Sequence, residues 1–123
     1  MKFFKFDMDL GMHVTHFDSN FFITPFAQLE AEAKISLFTL RENGGIGFHK
    51  AIVPQLLVVL AGEGYVRNDI DDFVQLSKGE AVLWEAGEWH ETKSDNGLIA
   101  LVIESINLNN NQILLEAKYG IQH

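Results

Sequence analysis

Short apolar runs alternate with clusters of Gly, Asn and Asp along most of this chain. KISLFTL, PQLLVVLA, YVRN, FVQL, AVLW, EWHETK, LIALVIES and QILLEAK are each shorter than a typical helix. They are parted by NGGIG at 43–47, GEG at 62–64, NDIDD at 68–72, SKGE at 77–80, EAGE at 85–88, DNG at 95–97 and NLNNN at 107–111. Apolar runs of this length between turn-forming residues predict strands, and so many of them predict an all-β barrel or sandwich. Two segments leave the choice open. AQLEAEAK at 27–34 has good helix formers and fits either one or two helical turns or an exposed strand leading into KISLFTL. The tail QILLEAKYGIQH fits a last strand or a short helix.

The run LIALVIES at 98–105 is apolar at both parities. Leu98, Ala100 and Val102 share one face, and Ile99, Leu101 and Ile103 the other. A strand with one wet face alternates, so this one needs cover on both sides. The Phe-rich N-terminus or a second copy of the chain would supply it, and a homodimer is expected. If a strand runs unbroken from His49, period two puts Ala51, Val53, Gln55, Leu57 and Val59 on the His49 face. Gln55 is then a polar group among aliphatic ones. It needs a histidine, a metal, a water or a ligand as partner.

The length, 123 residues, suits one domain spanning 1–123. The absence of cysteine excludes disulfides, thiolate catalysis and Cys-based zinc sites, and it fits a reducing cytosol. Nine basic residues against seventeen acidic ones give a net charge of −8, which argues against nucleic acid as a partner. Asp7 and Asp9 interrupt the apolar run that a signal peptide would need. No stretch approaches the ~20 apolar residues of a membrane span. The expectation is a soluble, cytoplasmic protein with neither a nucleic-acid nor a membrane partner.

Of the five histidines, His123 is terminal, and His13 and His16 in MHVTH sit three apart. In a strand that spacing puts them on opposite faces, so they read as ordinary surface or packing residues. His49 and His90 differ from these. Each follows a tight turn, NGGIG or EAGE, and each enters a strand. If the two strands are neighbours in a small barrel, both side chains reach its mouth, a common place for ligand sites. Trp84 and Trp89 flank the second turn; Trp84 reads as core, Trp89 as rim or interface. Glu91 points away from His90 by alternation, and Glu88, in the turn, is expected in solvent.

These residues resemble the two motifs of a small single-domain cupin over roughly 35–104. His49 and Gly62 stand at the spacing of the first motif, with Gln55 at its glutamate position. Gly79, Gly87 and His90 fall in register with the second. The resemblance implies a jelly-roll β-barrel and, often, a dimer. It also implies a metal centre of three histidines and a glutamate, and here the chain departs from the pattern. Asn43 stands for the first glycine, Ala51 for the second histidine, Gln55 for the glutamate, Glu85 for the proline and Ser94 for the asparagine.

An alanine methyl cannot coordinate, and an amide leaves an ion's charge uncompensated in a low-dielectric barrel. The carboxylate of the two-His-one-carboxylate iron site is missing from the motif. The chain is therefore expected to hold a divalent ion (Zn, Ni or Fe) weakly at His49, Gln55 and His90, or to hold none. Three functions are compatible with this: a small-molecule-binding cupin of undetermined ligand; a metal-dependent cupin enzyme, an isomerase or dioxygenase-like protein; or a non-catalytic structural or regulatory module with a vestigial pocket.

Overall fold

A computed structural model describes residues 1–7 and 11–118. Their strands, in chain order, are β1 (Lys2–Lys5), β2 (Met12–Val14), β3 (Phe21–Ile23), β4 (Lys34–Leu40), β5 (Gly44–Lys50), β6 (Gln55–Asn68), β7 (Val74–Ser77), β8 (Glu80–Trp84), β9 (Trp89–Ser94), β10 (Leu98–Glu104) and β11 (Glu116–Ala117). One layer runs β11-β1-β8-β6-β10-β4, and the other carries β5-β9-β6-β7. β2 and β3 form a separate hairpin. The fold is a jelly-roll β-barrel whose sheets do not close on each other.

The two layers share β6, and its length is a departure from expectation. GEG at 62–64 reads as a turn, yet the strand continues through it to Asn68. Gly62 takes φ +77, and a Cβ there would stand 2.2 Å from the Gly97 carbonyl oxygen. Gly64 is as tightly placed, with 2.5 Å to the Lys93 oxygen. The glycines therefore bend a strand between layers rather than end it. Before the bend β6 pairs with β8 and β10; after it, with β7 and β9.

The apolar run predicted to extend from His49 is broken as well. β5 ends at Lys50, and residues 51–54 form a loop before β6. Pro54 has no N–H to give a ladder and biases the residue before it. The loop is pinned instead to the next turn: the Ala51 N–H donates to the Glu88 carbonyl at 2.9 Å and the Gly87 N–H to the Ala51 carbonyl at 2.8 Å. Gln55 does not share a strand face with His49.

Both faces of the first layer are covered except at its β4 edge, where Ile35 and Leu37 are exposed. Leu57, Val59, Val82, Trp84, Leu98, Ala100 and Val102 fill the barrel interior. Leu56, Val58, Ala81, Leu83 and Ile103 pack outward under Phe4, Leu108, Ile113 and Leu115. The two parities of β10 thus serve two cores, with the second covered largely by the chain's own ends. Ile99 stays partly exposed. Residues 27–33 form neither a helix nor a strand. They hold to the tail through a single bridge between Ala27 and Ile113 and a bond from the Gln28 N–H to the Gln112 carbonyl. Within the tail, β11 pairs with β1. Among the described residues no helix is long and apolar enough to cross a membrane.

Candidate functional site

β5 and β9 run antiparallel with His49 directly opposite His90. The imidazoles meet edge to face, 4.4 Å between centroids. The turn before β9 sets this up: Gly87 takes φ +86, and the Glu88 N–H closes the turn on the Glu85 carbonyl. A left-handed residue there favours glycine. Asn43, where the resembled motif has glycine, takes φ +58. Asparagine is among the side chains that tolerate that region, so this departure leaves the turn into β5 intact.

The two histidines differ in surroundings. His90 is 2% exposed and stacks on the Trp84 indole at 4.3 Å. His49 is exposed. In both, Nδ1 faces a backbone carbonyl: Gly47 at 2.7 Å for His49, and Glu88 at 3.3 Å for His90. A carbonyl only accepts, so each Nδ1 carries the proton and donates. In the neutral ring Nε2 then keeps its lone pair. Burial lowers the pKa of His90 below its ordinary value, and the neighbouring His49 adds to this; the Glu88 carbonyl and the Glu88 and Glu104 charges work in the opposite direction. His90 is therefore neutral at pH 7.

Gln55 reaches the same place by another route. At the start of β6 it lies beside Trp84 on β8 and Glu104 on β10. Its Nε2–H donates to Glu104 Oε1 at 2.7 Å. His49, Gln55, His90 and Glu104 together line a cleft of about 300 Å³, with Lys50, Ala51, Ile52 and Val53 completing the wall. The structure thus brings His49, Gln55 and His90 together, and Ala51 stands among them as a methyl.

Glu104 is a functional candidate that the sequence pattern does not single out. It closes the apolar run of β10, 49 residues from Gln55, and only strand pairing joins them. The available signal is positional: Gln55 opens one long apolar run and Glu104 closes another, as antiparallel neighbours would. Glu88, expected in solvent, does not lie there. Its carboxylate accepts from the Met1 amine at 2.7 Å, the Asn68 amide at 3.1 Å and the Glu85 N–H at 3.1 Å. Glu91 does turn away, to an ion pair with Arg67.

The donor set does not fit a resident divalent ion. Two imidazoles are present, the third position is a methyl, and the Gln55 carbonyl oxygen is neutral, so it leaves an ion's charge uncompensated. Among the described residues no three His, Cys, Asp or Glu side chains come close enough to hold an ion. The remaining histidines stand apart. His13 bonds Asn20 at 2.7 Å and stacks on Phe22, His16 is exposed, and His123 lies outside the described residues. Trp84 is fully buried, and Trp89, 42% exposed, stacks on Phe48 at the rim.

No protein-family model and no curated protein matches this chain. Solved structures do match. A cupin superfamily protein from Desulfitobacterium hafniense aligns with a TM-score of 0.57 at 22% identity, over 65% of this chain and 72% of that one. An RmlC-like cupin from Shewanella frigidimarina gives 0.57 at 17% identity, over 68% and 73%. A predicted oxalate decarboxylase from Thermotoga maritima gives 0.51 at 21% identity, over 56% and 62%. At such identities the likeness is one of fold.

Proposed function

From the premise that this chain has the cupin fold, we propose that it is a small-molecule-binding protein. Its ligand site is the cleft between His49, Gln55, His90 and Glu104. The observation that carries this is convergence: four polar side chains from β5, β6, β9 and β10 meet in one cleft of about 300 Å³, within the range of small-ligand sites. The donor set supports binding over metal-dependent catalysis, because among the described residues no third His, Cys, Asp or Glu comes close enough to join the two imidazoles around one ion, and two imidazoles hold Zn²⁺ or Ni²⁺ only weakly. Some neighbours in fold are enzymes by description, but fold alone carries no reaction to this chain. The lack of cysteine suits the cytoplasm, and we keep that compartment in the proposal.

The test is NMR of full-length protein against a library of polar small molecules. Binders should shift the imidazole signals of His49 and His90 together with the Gln55 side-chain amide, and His49→Ala should weaken them. Binders that leave all three signals unmoved would refute the proposal.

Assembly belongs to the same reading. We propose a second copy of this chain against the outer face of β4 and β10. Ile35 and Leu37 are each 62% exposed and lie beside Ile103 and Leu101, with Ile99 next along the face. Among the described residues β4 pairs with β10 alone, so its outer edge suits antiparallel pairing with a two-fold copy. Sedimentation equilibrium at micromolar concentration should give a dimer, and Leu37→Asp a monomer. A monomeric wild type contradicts this.

A further inference from the structure

The hydrogen-bonding state of the cleft restricts what it accepts. Both imidazoles spend their N–H on backbone carbonyls, Gly47 for His49 and Glu88 for His90. Gln55 spends an amide N–H on Glu104. What these side chains have left over is the Nε2 lone pair of each neutral imidazole, the Gln55 carbonyl oxygen and the second Glu104 oxygen, four acceptor atoms against the single remaining N–H of the Gln55 amide. Trp84 stacked beneath His90 and the Ala51–Glu88 backbone bond hold this arrangement in place.

Charge points the same way. Glu104 is half-buried, and among the described residues no cation pairs with it. Lys34, its strand neighbour on β4, and Lys50, on the cleft wall, both lie outside ion-pair distance and are exposed. The nearest partner of the carboxylate is a neutral amide.

Resting on the binding function above, we propose that the cleft selects a small organic cation, a protonated amine. Its ammonium group meets the Glu104 carboxylate, the Gln55 carbonyl and the imidazole Nε2 acceptors. An ammonium group has three donors, no acceptor and one positive charge, which complements one carboxylate set among neutral acceptors. A carboxylate or phosphate ligand would bring acceptors to acceptors and a second negative charge to Glu104. A neutral alcohol would supply one donor and leave the Glu104 charge unmatched.

Three probes of equal length separate these cases: n-propylammonium, n-propanol and propionate, titrated into full-length protein at constant ionic strength. The imidazole signals of His49 and His90 and the Gln55 side-chain amide report binding. Propylammonium should shift them saturably, at least about tenfold more tightly than propanol, and propionate should leave them unmoved. Glu104→Gln should remove that preference. If propanol or propionate binds as tightly as propylammonium, the ligand class is wrong and the binding cleft stands. If none of the three shifts any signal saturably, the cleft and the ligand class fall together.

Discussion

The cleft is built from two unlike sheets. Its amide and carboxylate come from β6 and β10, and along β6 the layer is buried on both faces, with Leu56, Leu57, Val58 and Val59 all fully buried. Its imidazoles come from β5 and β9. β5 is open to solvent from Gly47 to Lys50, and its Phe48 is 41% exposed. The first sheet is constrained by packing, so Gln55 and Glu104 are held by the same strands that make the core. The second has one wet face, where side chains change at little cost to the fold. Rigid acceptors on one wall thus face adaptable ones on the other.

The contrast breaks first in its core. Leu56→Ala removes a fully buried side chain packed under Phe4, Leu108, Ile113 and Leu115 and should cost about 3 kcal/mol. Phe48→Ala, which loses its stack on Trp89 and its place under Arg67, should cost about 1 kcal/mol or less. Equal losses in denaturant unfolding would abolish the difference between the sheets. Next comes Gln55→Glu. It replaces an amide that donates to Glu104 at 2.7 Å with a second carboxylate, and should cost roughly 2 kcal/mol at pH 7. One shared proton relieves the repulsion, so this loss should shrink as pH falls. A pH-independent loss would show that the two carboxylates stand apart.

The histidines sharpen the contrast within one sheet. His90→Ala opens a hole against Trp84 and should cost about 1–2 kcal/mol, and His49→Ala less than about 0.5 kcal/mol. Chemical denaturation of both variants checks this, and a costlier His49→Ala would reverse the assignment of buried and exposed ring. The smallest effect is on pH. The folded pKa of His90 lies below the ordinary 6.5, so between the two values the unfolded chain binds more protons. The contribution of His90 to stability is complete above pH 6.5 and is lost as pH falls toward the folded pKa. An NMR titration midpoint above 6.5 would contradict this.

These same sheets explain what was legible in the sequence. β4 and β10 stand where KISLFTL and LIALVIES predict them, because their apolar runs end at true turns such as the one around Gly97, φ +104. The GEG stretch misleads because glycine serves a bend with close backbone approach as well as a turn. The pairing of His49 with His90 follows from the turns that precede them and from the resemblance. The period-two face that would link His49 to Gln55 runs through Pro54, and the loop there breaks it. Glu104 is out of reach for a local reading, since its partner is non-local and its neighbours in the chain are aliphatic.

The proposed small-molecule cleft has two imidazoles and, among the described residues, no third His, Cys, Asp or Glu close enough to complete a resident metal centre. Calorimetric titration of tag-free protein with Zn²⁺ or Ni²⁺ tests this most directly, alongside the double variant Ala51→His with Gln55→Glu. The wild type should bind weakly and without a sharp one-to-one endpoint. The double variant, which adds an imidazole and a carboxylate to His49, His90 and Glu104, should bind at least about tenfold more tightly. One ion bound tightly and stoichiometrically by the wild type would contradict the account, as would a double variant that binds no better than the wild type.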